Sequence, residues 1–169
     1  MTKSDKILNI GCGNSKLCED LSEEGYEDIT NIDFSTKVIT IMEQTYKEKF
    51  PKMQFKVADV LDMKDFQSGT FNTILDKGTL DCILCGDNSV PNAAKMMAEM
   101  YRLLAPGGHY MVITYGDPDV RKKYLETQQW ASLSVDKLAK PSAAVSSTIN
   151  ADENDVKNFH YIYTMAKPK

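Results

Sequence analysis

Two histidines and four cysteines in 169 residues leave little material for a metal centre or a disulfide framework. Cys12, Cys18, Cys82 and Cys85 follow an N-terminus, Met1 to Lys6, that has no apolar signal run, which argues against disulfides. Cys82-Ile-Leu-Cys85 has the spacing of a redox or metal pair, and Cys12 comes near it if the first and fourth strands lie side by side. A second close pair is missing, however, and neither His109 nor His160 sits at ligand spacing, so buried or half-buried thiols without metal are expected. Long apolar runs are missing too, and no segment is long enough to cross a bilayer as a helix. Strong charge of one sign is also absent. A net charge of −4 argues against nucleic acid as the main partner, and Arg121-Lys-Lys123 reads as a solvated helix face. With 42% hydrophobic and 26% charged residues, and no repeat or linker, the composition is that of an ordinary soluble globular protein, and with no span or signal run a cytoplasmic location is the default expectation. The length fits one domain, 1–169, which buries roughly two-thirds of its unfolded surface.

What is present centres on Lys6-Ile-Leu-Asn-Ile-Gly-Cys-Gly-Asn-Ser15. An apolar run there delivers the backbone into a Gly-x-Gly turn, and the two glycines permit positive φ angles and close approach of a ligand. Gly-x-Gly alone is a weak signal. Twenty residues past Gly13, Asn31-Ile-Asp33 ends a second apolar run with a carboxylate at the spacing that hydrogen-bonds ribose hydroxyls, and Val57-Ala-Asp59-Val60 ends a third in the same way. Taken singly, each motif has turn glycines or capping aspartates as a lesser alternative reading. In order, they indicate a nucleoside-bearing ligand. A nicotinamide fingerprint needs a third glycine where this chain has Lys16.

Periodicity supplies the frame. After the first strand, Asn14 or Ser15 caps a helix with Leu17, Cys18 and Leu21 on one face and Gly25 closing it. Ile29 to Asp33 is the second strand, and Ser35 caps a helix to about Lys49, with Val38, Ile39, Met42 and Tyr46 at helical spacing and Pro51 beyond its end. Strands follow at Gln54 to Val60 and Phe71 to Leu75, then a helix from about Pro91 to Leu104 and a fifth strand from Tyr110 to Thr114. Ala105-Pro-Gly-Gly108 breaks the pattern between the last two. A short helix from Arg121 to Thr127 precedes two strands, Trp130 to Leu138 and His160 to Met165, joined by a polar loop containing Ser142 to Asp155. The predicted fold is α/β, a Rossmann-like doubly wound, mostly parallel seven-stranded sheet with an antiparallel C-terminal hairpin.

Gly11-Cys-Gly-Asn-Ser15, Asn31-Ile-Asp-Phe-Ser35, Ala58-Asp-Val60 and Leu103-Leu-Ala-Pro-Gly-Gly108 resemble the ordered motifs of seven-strand, S-adenosylmethionine-dependent methyltransferases. Asp76-Lys-Gly-Thr-Leu-Asp81, Tyr115-Gly-Asp-Pro118 and His160-Tyr-Ile-Tyr163 are similar to the subgroup that contains lysine methyltransferases of translation elongation factor 1-alpha. The resemblance implies that Gly11, Cys12, Gly13, Asn14 and Ser15 face the methionine moiety and sugar of S-adenosylmethionine. It implies Asp33 on the ribose, Phe34 against the adenine, Asp59 accepting from the adenine amino group with Val60 beside it, and Asp76 and Lys77 near the cofactor and the methyl-transfer locus. Asp76 is the candidate to orient or deprotonate an acceptor amine; its alternatives are to hold the cofactor or cap the turn. Lys77 has a salt bridge across that turn as its alternative. The chain departs from the wider class at Asn9, often acidic there, and at Ser15, often a third glycine. Subgroup members also carry a Trp- and Tyr-containing segment before the first strand, whereas six residues precede Ile7 here. The resemblance thus implies methylation of a protein lysine, with a small-molecule methyltransferase or a non-catalytic cofactor-binding subunit as the competing readings.

Overall fold

The computed structural model describes residues 1–140 and 159–169. Twelve elements are described: β1 (Ile7–Ile10), α1 (Leu17–Glu23), β2 (Ile29–Asp33), α2 (Thr36–Tyr46), β3 (Gln54–Val57), β4 (Phe71–Lys77), α3 (Thr79–Cys85), α4 (Ser89–Leu103), β5 (Leu104–Thr114), α5 (Pro118–Leu125), β6 (Ser132–Ala139) and β7 (Phe159–Ala166). The strands form one sheet in the order β3-β2-β1-β4-β5-β7-β6. The first five are parallel, and β7 runs antiparallel to both β5 and β6. This is the doubly wound sheet with an antiparallel edge that the alternation predicts. The loop expected at Ser142 to Asp155 lies outside the described residues.

Side-chain alternation along β1 divides the core. Ile7 packs with Cys18, Ile29, Met42 and Tyr46 under α1 and α2, whereas Leu8 and Ile10 join the larger cluster with Met96, Met97 and Met100 of α4. The methionines are core. Asn9 is buried at the sheet centre, and its amide donates to Asn31 Oδ1 of β2 at 2.9 Å, while Asn31 Nδ2 donates to the Gln54 carbonyl of β3 at 3.3 Å. With the Gln54 carbonyl, the pair is hydrogen-bonded across three strands without a charge.

Several boundaries move for local reasons. β3 stops at Val57 because its partner β2 ends at Asp33, so Asp59 lies in a loop where its Oδ1 accepts from Leu61 N at 2.9 Å. β4 runs on to Lys77 because Ile113 of β5 still pairs with it. β5 starts early, at Leu104 opposite Phe71, and residues 105–108 bulge before His109 pairs with Thr73. The Pro-Gly-Gly break is therefore a bulge inside a strand. α1 begins one residue after Lys16, with Ser15 Oγ accepting from Leu17 N in the turn before it, while α2 ends at Tyr46, three residues short of Lys49. α5 begins at Pro118, capped by Asp117, and Trp130 does not start β6 because its indole N–H closes α5 on the Leu125 carbonyl at 2.7 Å. No helix among the described residues is long and apolar enough to cross a membrane.

Candidate functional site

The strand order reverses between β1 and β4, and in an open α/β sheet the crevice beyond the carboxyl ends at such a point is where ligands bind. A cavity of about 350 Å³ lies there. Its wall is built strand by strand: Gly11 after β1, Asp33 and Phe34 at the end of β2, Ala58, Asp59 and Val60 after β3, and Gly78 with Thr79, Cys82 and Ile83 after β4. A volume of this size is in the range of small-ligand pockets.

Asp33 ties two of these loops together. One carboxylate oxygen accepts from Gly13 N at 3.0 Å and the other from Ser35 N at 2.9 Å. Each oxygen keeps lone-pair capacity for a further donor. Phe34, the next residue, is 81% exposed, so its ring is available to cover a planar group. Gly11 has φ of 54° and packs directly on Thr79, whose Oγ1 donates to the Ile10 carbonyl at 3.0 Å. A Cβ at Gly11 would collide with that Oγ1. Gly11→Ala is expected to destabilise the fold by about 2–4 kcal/mol, combining left-handed strain with overpacking, and a thermal melt measures it.

The wall after β4 differs most from the predicted pattern. The predicted pattern has no helix between β4 and α4, whereas α3 stands there and contributes three cavity residues. Its entry is set by Gly78 at φ of 86° and by Asp76, which accepts from Thr79 N at 2.7 Å and Leu80 N at 3.1 Å. Asp76 is buried, takes a third hydrogen bond from Tyr110 Oη at 3.0 Å, and does not line the cavity. The structure thus gives it the capping role named among its alternatives. Lys77 is exposed, without a salt bridge to any described residue, and does not line the cavity. Cys12, Gly13, Asn14 and Ser15 do not line the cavity either, although Gly13 N donates to Asp33, which does. The expectation of buried or half-buried thiols fails for Cys82 and Cys85, which are exposed on α3, whereas Cys12 and Cys18 are buried. Among the described residues, no three His, Cys, Asp or Glu side chains gather as a metal site.

The charge states of the buried groups follow from their surroundings. Burial pushes the Cys12 thiol up to about 12, with the Asp33 carboxylate adding to it, and burial pushes Cys18 up to about 11, so neither is a thiolate nucleophile at neutral pH. Burial also pushes the Asp76 carboxyl up to about 7, against the hydrogen bonds from Thr79, Tyr110 and Leu80. Because the folded-state value lies above the unfolded one, the contribution of Asp76 to stability is full below about pH 4 and is lost as pH rises through about 7. Asp76→Asn is expected to flatten the slope of stability against pH between 4 and 7, which denaturant melts across that range would measure.

A family model described as a methyltransferase domain matches residues 1–167. The zebrafish (Danio rerio) eEF1A lysine and N-terminal methyltransferase is 41% identical over 129 residues, covering 75% of this chain and 18% of the relative. The mouse (Mus musculus) EEF1A lysine methyltransferase 4 is 34% identical over 128 residues, covering 71% of this chain and 49% of the relative. The chain therefore spans between about a fifth and a half of the length of these relatives. Among solved structures, a SAM-dependent methyltransferase of Methanosarcina mazei superposes with a TM-score of 0.71 at 18% identity, over 99% of this chain and 94% of that one, which is a likeness of fold.

Proposed function

Because the chain belongs to the methyltransferase domain family, we propose that it binds S-adenosylmethionine in the cavity at the β1–β4 reversal and methylates a lysine side chain of a translation elongation factor 1-alpha type protein. The observation that carries the reading is the convergence of Asp33, Phe34 and Asp59 on one cavity beside Gly11, because these groups suit the parts of that cofactor in turn. In this reading Asp33 holds the ribose hydroxyls with the acceptor capacity left beyond Gly13 and Ser35. Phe34 lies against the adenine, Asp59 accepts from its amino group, and Val60 packs beside it. Gly11 and Gly78 let the backbone approach. In this reading the whole sequence is one methyltransferase domain working in the cytoplasm.

When bound, the cofactor supplies an electrophilic sulfonium methyl group, so the protein mainly has to align the acceptor and keep water out. A free lysine amine has a pKa of about 10.4 and is mostly charged at neutral pH. We assign Asp76 to holding the α3 wall and not to taking that proton, since its oxygens accept from Thr79, Leu80 and Tyr110 and it does not line the cavity. Lysine as the acceptor rests on the names of the relatives, an eEF1A lysine and N-terminal methyltransferase and an EEF1A lysine methyltransferase 4.

Incubation with tritiated S-adenosylmethionine and purified elongation factor 1-alpha tests this. Label on the protein, located to a lysine by mass spectrometry, is the expected result. Label confined to small molecules from a lysate would select a metabolite methyltransferase instead, and cofactor binding without transfer to either would select a non-catalytic subunit.

A further inference from the structure

Beyond the cavity, one exposed aromatic ring is held with unusual completeness. Tyr115 follows β5, and its side chain is 53% exposed. Its surroundings are fixed. Arg121 of α5 and Asp81 of α3, 7% and 6% exposed, form an ion pair at 2.7 Å. Arg121 Nε also donates to Thr114 Oγ1 at 3.1 Å, and the Thr114 hydroxyl in turn donates to Asp81. The backbone on both sides of the ring is anchored to this group: Tyr115 N reaches Asp81 Oδ2 at 3.4 Å, Gly116 N donates to Thr114 Oγ1 at 3.0 Å, and Tyr163 Oη donates to the Gly116 carbonyl at 2.9 Å. A Cβ at Gly116 would run into the Arg121 side chain. The ring lies 5.3 Å from the guanidinium carbon, and its hydroxyl is 3.6 Å from Cys85 Sγ.

α3 connects this assembly to the cofactor cavity. Cys82 and Ile83 line the cavity, Asp81 anchors the ion pair, and Cys85, one turn beyond Cys82, meets the Tyr115 hydroxyl. A half-exposed aromatic side chain whose backbone and one flank are pinned by buried charge presents a rigid apolar surface to incoming groups, at low entropic cost on binding.

We propose that Tyr115 forms the acceptor-side wall of the methyl-transfer site, its ring packing along the methylene stem of the incoming amine, with Arg121 as the positioning residue that holds the ring. This rests on the proposed function, because it takes the acceptor to be a primary amine on an alkyl chain. Tyr115 then sets which acceptors align, and the cofactor is held without it.

Binding of two ligands separates these roles. S-adenosylhomocysteine probes the cofactor cavity alone, and an analogue with an aminobutyl chain in place of the transferable methyl group probes cavity and acceptor wall together. The parent protein is expected to prefer the aminobutyl analogue by about tenfold or more, the equivalent of about 1.4 kcal/mol. Tyr115→Ala should abolish that preference and leave S-adenosylhomocysteine affinity within about twofold, while Tyr115→Phe keeps both. A preference that survives in Tyr115→Ala, a parent that shows none, or a Tyr115→Ala protein that loses both ligands equally would overturn the assignment. Absence of S-adenosylhomocysteine binding by the parent would overturn the cofactor reading itself and this assignment with it.

Discussion

Arg121→Ala is expected to cost about 3–5 kcal/mol of stability, because it leaves the Asp81 carboxylate buried without its partner. For a chain of this length that corresponds to a fall in melting temperature of roughly 10 °C. Both side chains are under a tenth exposed, so solvent screening does little to soften the loss. Asp81→Ala should cost a similar amount, since it strands the guanidinium and also removes the acceptor for Thr114. The double variant is expected to lose clearly less than the sum of the two. A thermal or urea double-mutant cycle measures that coupling, and additive losses would mean that the pair does not act as a unit. The consequence reaches function through α3: Asp81 sits between Leu80, buried in the core, and Cys82, which lines the cavity, so the pair also holds the cavity wall.

Asp33→Ala should lower S-adenosylmethionine affinity by about 100-fold or more. The substitution removes the acceptors for Gly13 N and Ser35 N together with the oxygens assigned to the ribose, and hydrogen bonds to a charged group are worth about 1.5–3 kcal/mol each. Asp33→Asn should fall between, because its remaining carbonyl oxygen serves one loop while its amide nitrogen cannot accept from the other. Equilibrium dialysis with labelled cofactor measures the series, and a melt on each variant separates loss of the site from loss of the fold. Equal affinity in the parent and in Asp33→Ala would remove this residue from the site.

These two residues differ in how far the sequence announces them. Asp33 stands at the end of a fully buried strand, twenty residues past a Gly-x-Gly turn, so its place at the sheet's carboxyl edge follows from periodicity and spacing. Asp59 is legible in the same way, although the strand before it is shorter than its apolar run, because pairing stops where β2 stops. Arg121 carries no such signal. It sits in Arg121-Lys-Lys123, where neighbouring lysines are solvated, and only the approach of Asp81 from forty residues away converts it into a buried cation. α3 was hidden for a related reason. Its seven residues are too few to show a period, and its start depends on a carboxylate, Asp76, that looks like a site residue until its hydrogen bonds are counted. Gly78-Thr79 ahead of Leu80 and Ile83 at i and i+3 is the signal that could have found it. The exposed thiols of Cys82 and Cys85 follow from that same helix, whose buried face is taken by Leu80 and Asp81.

Calorimetric titration of the chain with S-adenosylmethionine tests the cavity at the β1–β4 reversal most directly. Saturable binding of one cofactor per chain, competed by S-adenosylhomocysteine, is the predicted result. A folded protein that takes up no S-adenosylmethionine would contradict the assignment of Asp33, Phe34 and Asp59, and with it the proposed reaction.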